Sequence, residues 1–368
     1  MKIKCSIFLL FLMMLKEKKT IIALALFPQI IIIRILSNYP DFVETYYSKA
    51  FYTLISKLSR YILGWIPFSF GDLIYALTII YGVRWLVLNR KRLRLDTKNW
   101  LIDIFATLSI FYFVFHVFWG LNYYRQPLHK SLELEHDYTT EQLISFTERL
   151  IKKSNAIHIK ITNNDTLKVE MPYNKSELFK KAPEGYKYLK ETFPHLAYHP
   201  RSVKQSLFSY PLTYMGFSGY LNPFTNEAQV DGLIPIYKLS TTTTHEIAHQ
   251  LGYAAENEAN FIGSMAAIKH PDPYIQYTGY TFGLRFCLNE IYRRDPDVFE
   301  RMEKTVNPGI LKNYKEVREF WKKHQNPAEP LFKTFYNGFL IANKQSKGMQ
   351  SYNYVVALLV NYFEKNSL

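Results

Sequence analysis

The residues whose types and spacing could do chemistry in this 368-residue chain lie at 245–249, HEIAH. On a helix, residues four apart share a face, so His245 and His249 can grip one metal ion while Glu246 stands beside it. Two neutral imidazoles and a carboxylate suit Zn2+, and a fourth position left to water belongs to a catalytic rather than a structural site. Glu256 and Glu258 follow within ten residues of His249 and compete for the place of third ligand. If a second helix contains both Glu256 and Asn260, the two share a face, and Asn260 can hydrogen-bond a ligand histidine from behind. Glu258 then points about 200° away. A helix starting only after Glu258 reverses the choice, so Glu256 is favoured and Glu258 is the alternative. His195, His199 and His270 have no spacing that demands a metal and are expected at the surface.

The elements around the motif must position it. Thr241, Thr242, Thr243 and Thr244 are poor helix interior but good caps, so the motif helix is expected to begin at one of them. Gly252 is placed to end it, and residues 253–268 have the composition of the second helix. Upstream, residues 203–235 are short extended pieces punctuated by Gly216, Gly219, Asn222 and Pro223. Within them Glu227–Val230 is expected as a short edge strand to which an extended substrate could add. Further out, helices are expected at 137–151 (a capping box from Thr139 and Gln142), 174–182, 184–192, 274–293, 313–323, 329–343 and 351–363. Residues 157–162 and 167–171 alternate enough to read as strands joined by a turn at 163–165.

The first third of the chain reads differently. Spans are expected at about 20–37, 68–88 and 101–121, each near the length of a bilayer crossing, with Trp or Tyr toward the ends of the last two. Residues 6–15 are apolar but too short to span, Met13 or Met14 is an alternative start, and a first span is preferred to a cleaved signal peptide. Residues 38–67 read as an amphipathic external loop. The densest basic loop, residues 90–98, belongs in the cytoplasm, which puts residues 122–368 outside it. His116 is expected at the membrane interface.

Composition bounds the alternatives. The net charge of +14 raises nucleic acid, but the basic residues cluster beside apolar runs as membrane flanks do, so no nucleic-acid partner is expected. Cys5 and Cys287 are too few and too separate for a disulfide framework or a cysteine zinc knuckle.

HEIAHQ followed by E-x-E-A-N resembles the Glu-liganded zincin metallopeptidases. Three spans, then GFSGYLNPFTNEA, THEIAHQLGYAAENEANF and Ser351-Tyr352, are similar to a family of bacterial membrane-anchored zincin-like proteins. The resemblance implies a mainly helical α+β zincin-like domain with a small sheet over 122–368. It implies one Zn2+ held by His245, His249 and Glu256, Glu246 as general base, Asn260 in support, and hydrolysis of a peptide or protein outside the cytoplasm of a bacterial inner membrane. Two features depart from the peptidase pattern: the gap from His249 to Glu256 is short, and Asn260 stands where Asp is usual. Tyr352 and Tyr220 are the candidates to steady an oxyanion. An inactive zincin-like membrane scaffold is the alternative function; a transporter is disfavoured, because no inverted repeat is visible.

Overall fold

A computed structural model describes residues 2–344 and 354–368, with side chains from Glu17 onward. Tyr352, and the start expected for the last helix at 351, lie outside these residues. Among the described residues, three helices are long and apolar enough to cross a membrane: Glu17–Leu36, Phe70–Leu88 and Thr97–Phe118. They suggest a multi-pass membrane protein. The first and third pack along their length, and Gln29 donates to Ser109 Oγ (3.1 Å) between them. At one end Asp103 takes both Lys19 (2.8 Å) and Arg92 (3.0 Å), so the basic loop and the start of the first span share a side. The folded domain lies at the other end.

Residues 38–67 are not a loop. Wide helical turns over Val43–Phe51 lead into the helix Tyr52–Leu63, an arm that lies against the domain with Tyr52, Ser56 and Arg60 buried. Its polar side, with Ser56 and Arg60, meets the domain, and its apolar side, with Leu54, Leu58, Tyr61 and Ile62, is exposed. The second span is docked by its N-terminus: the Phe70 (3.2 Å) and Gly71 (2.5 Å) amides donate to the buried Glu227 carboxylate. A carboxylate is stabilised there by the unsatisfied N–H groups of the helix end.

The domain is mostly helical. Thr139 and Gln142 form the expected capping box, but the helix they start, Thr140–Thr162, runs straight through the strand expected at 157–162. Ile157 and His158 continue the three-and-four spacing of Leu150, Ile151 and Ser154, and the whole face is buried against the helix Pro273–Arg294. Burial at the helical period overrides a short alternation. The strand expected at 167–171 is also absent. That segment is extended but its partner is a side chain: Asn313 accepts from Val169 N (3.0 Å) and donates to Val169 O (3.1 Å).

Three strands form the sheet, β1 (Val203–Gln205), β2 (Gly219–Asn222) and β3 (Glu227–Val230), in the order β1-β3-β2. β3 pairs parallel with β1 and antiparallel with β2, so it is the buried centre and not the expected edge. The free edge on the hairpin side belongs to β2. The core gathers Phe146, Ile247, Phe261, Met265, Tyr277 and Leu359. The last helix, Val355–Lys365, is part of it. His270, expected at the surface, is 2% exposed: it accepts from Asp272 N (2.9 Å) and reaches Lys181 O (3.1 Å), closing the loop before the next helix. His195 and His199 are exposed, whereas His116 is buried against Tyr112 O.

Candidate metal centre

The motif lies on the helix Ile236–Gln250, which starts right after Pro235 and well before the threonines. Proline suits a helix entry because the first amides need no intrahelical acceptor. The four threonines are therefore interior and buried, not caps. Thr241 and Thr244 satisfy their hydroxyls on the carbonyls of Lys238 and Ser240 one turn back, which threonine can do inside a helix. Gly252, at φ +91°, ends the helix as expected, and Tyr253 N returns to Ala248 O (3.2 Å).

The second helix, Glu256–Ile268, begins with Glu256 as its first residue. It crosses the motif helix at Gly263, where an added Cβ would lie 2.8 Å from His245 N and 2.9 Å from its Cα. This close crossing carries Glu256 to the histidines. His245 Nε2 and His249 Nε2 are 3.1 Å apart, and Glu256 Oε2 lies 3.2 Å from the first and 3.7 Å from the second. Bonds of about 2.0–2.1 Å to a tetrahedral ion set ligand atoms about 3.3 Å apart, so the three donors already have the spacing of a zinc shell. His245, His249 and Glu256 are the group among the described residues able to hold a metal.

Orientation supports the same fit. His249 Nδ1 donates to Tyr253 O (2.7 Å), which leaves Nε2 as the nitrogen with a free lone pair toward the centre. Tyr336 donates its hydroxyl to Glu256 Oε1. Burial alone would raise the Glu256 pKa, but the two imidazoles hold it well below the usual carboxylate range. On His249 burial opposes charge; hydrogen bonding and charge from Glu256, with the Glu246 charge, push it up to about 9. A buried carboxylate that draws a proton onto His249 is a place suited to a cation.

Glu246 is 4% exposed, and its Oε2 is buried without a partner. Burial raises its pKa to about 7, Glu256 adding to the shift and the histidines resisting it. It rests against β2, where a Cβ on Gly219 would meet Glu246 Oε1 at 2.8 Å. Glu258 is turned away: its Oε1 accepts from Leu128 N (2.6 Å), and burial raises its pKa to about 7 against the pull of that amide and of Arg125. Asn260 does not make the expected bond to a histidine. Its Nδ2 is buried without a partner, and the Tyr253 carbonyl takes the role for His249. Tyr220 donates its hydroxyl to Asp72 at the start of the second span.

Several supporting residues have no local sequence signal. Arg125 grips Glu44 of the arm with two bonds (2.8 and 2.9 Å), donates to Gly252 O (2.8 Å) and stacks on Tyr253. Tyr52 and Ser56 each donate to Gln250 O at 3.0 Å. The last turn of the motif helix is thus pinned from the arm. The donors open on a cavity of about 1110 Å³, walled by β2 on one side and by aromatic residues. Lys238 and Arg285 also line it; burial, then the nearby Arg285 charge, pushes Lys238 down to about 7.

No curated protein and no solved structure matches the chain. A family profile matches residues 47–360, which take in most of the arm, the second and third spans, both helices of the candidate centre and the supporting residues Tyr52, Arg125 and Tyr336. On that match the chain belongs to the family described as protein of unknown function DUF3810.

Proposed function

We propose that the protein is a membrane-anchored zinc-dependent metallopeptidase whose domain works outside the cytoplasm, on the periplasmic side of a bacterial inner membrane. The observation that carries this reading is the convergence of His245 Nε2, His249 Nε2 and Glu256 Oε2 within tetrahedral ligand spacing beside Glu246. A zinc ion held there supplies a Lewis acid for the carbonyl and makes water a stronger acid. Glu246, buried beside the donors with one carboxylate oxygen unpartnered, would accept the proton of the attacking water and deliver it to the leaving amine. The β2 edge offers backbone N–H and C=O groups to an extended chain, with Gly219 keeping the approach to Glu246 open. The basic loop shares its end of the spans with Lys19, which supports placing the domain on the opposite side.

The test uses the full chain in lipid. Metal analysis is expected to find one zinc per chain, and a peptide library to be cleaved only without chelator. Glu246→Gln is expected to keep the zinc and lose at least about 100-fold in turnover. Undiminished turnover in that variant rules out the mechanism. Zinc binding without cleavage of any library member leaves the inactive scaffold as the function.

A further inference from the structure

The cavity that holds the metal donors does not stop at the domain. Tyr75 and Ile79, one turn apart on the second span, and Phe115 on the third line the same space as His245 and Glu246. Ile79 lies nine residues past Phe70, about 13.5 Å along the helix at 1.5 Å per residue. The second span also stands apart from the packed pair formed by the first and third. It meets the third at the far end, where the Trp85 and Trp100 rings are 6.0 Å apart. At the domain end Phe224 sits edge-on to both Tyr75 (6.1 Å) and Phe111 (6.2 Å), wedged between the two spans.

Phe224 belongs to the turn that follows β2. The free edge of β2 therefore runs from Gly219, against Glu246, to a turn whose Phe224 lies between the spans. A chain added to that edge would have one end at the candidate base and the other at the mouth of the interspan slot. Phe224 lies five residues past Gly219, the first three steps along β2 and the last two in the turn.

We propose that the substrate is a polypeptide anchored by its own apolar helix, which enters sideways between the second and third spans and is cut about five residues outside its membrane segment. The inference rests on the peptidase reading for the cut and on the slot for the entry. Water adds across the amide C–N bond, giving a carboxylate on one fragment and an amine on the other. Continuity between the strand edge and the lipid-facing slot favours a polypeptide over a free lipid, since an acyl chain has no use for a row of backbone hydrogen bonds.

The experiment reconstitutes the full chain in liposomes with a pool of single-span polypeptides. Each has an apolar helix of about 20 residues and a random extramembrane tail of about 12; the same tails without the helix are the comparison. Mass spectrometry maps the cuts, and a photo-crosslinking residue at Ile79, in the Glu246→Gln background, reports entry without needing hydrolysis. Expected are cuts clustered four to six residues from the apolar helix, crosslinks to the polypeptide, and an anchored-to-soluble rate ratio that Ile79→Trp lowers about tenfold. Ile80→Trp, on the neighbouring lipid-exposed position, should leave that ratio alone. Crosslinking without any cleavage sinks the peptidase reading and keeps the entry route. Cuts scattered along anchored and soluble tails alike, with no crosslink, sink the entry route and keep the peptidase. Crosslinks to lipid alone, or neither crosslinks nor cuts, also overturn it.

Discussion

At the scale of single residues, the two glutamates after the motif are separated by what they touch. Glu256 faces two imidazoles and a tyrosine hydroxyl, and Glu258 faces a backbone amide. Glu256→Gln is therefore expected to lose the bound zinc, while Glu258→Gln keeps it, as metal analysis of the two purified variants would show; zinc lost from Glu258→Gln instead would reverse the assignment. Glu258 carries a second expectation. Its pKa is raised to about 7 from 4.5, chiefly by burial. Between those values the folded state holds a proton that the unfolded state has released, so this group's contribution to stability falls as pH rises from about 4.5 to 7. Denaturant midpoints measured across that range should decline less steeply in Glu258→Gln. Which residues could chelate was legible in the sequence, because four-residue spacing on a helix is local geometry. Tyr336 and Arg125 were not legible: each reaches the centre across a tertiary contact, from 80 and 127 positions away from Glu256 and Gly252. Asn260 follows from spacing and from the zincin resemblance, yet the fold gives its intended hydrogen bond to the Tyr253 carbonyl instead.

Among elements, the crossing of the motif helix with the helix Glu256–Ile268 sets the donor distances. Gly263 makes it possible. Gly263→Ala puts a methyl 2.8 Å from His245 N, against backbone that cannot swing aside. Overpacking of that kind costs about 1–3 kcal/mol. Thermal unfolding of the variant should show that loss, and zinc affinity should fall with it, because the helices must part where the ligands meet. Unchanged zinc affinity in a folded Gly263→Ala protein would mean the centre tolerates separation. The same pair of helices explains one misreading. Buried threonines look like caps only if their hydroxyls need an acceptor outside the helix, and here the preceding turn supplies it. β3 was misplaced for a similar reason: its parallel neighbour β1 is three residues long and carries no pattern of its own. The long amphipathic and apolar helices were legible because burial repeats many times along them.

On the scale of the whole molecule, the spans and the domain are not separable modules. Glu227 caps the second span, Asp72 of that span takes Ser206, Leu207 and Tyr220 from the domain, and Lys204 donates to carbonyls of the arm's end. A chain cut back to residues 122–368 loses Tyr52, Ser56 and Glu44 from around the motif helix. Such a fragment is expected to bind zinc at least about tenfold more weakly than the full chain, measured by competition with a chromogenic chelator. Equal affinity would show that the arm only tethers.

The clamp of Tyr52 and Ser56 on Gln250 also bears on when in its life the protein can act. The arm sits between the first and second candidate spans in the chain, so on the proposed topology it is set against the motif helix as those spans are threaded into lipid. On that topology, a chain whose spans are not yet threaded would have the histidines and glutamates but not the frame that aligns them. If the centre is hydrolytic as proposed, membrane insertion would time its assembly. Chain translated without membranes should bind zinc about tenfold more weakly than the same chain translated into liposomes.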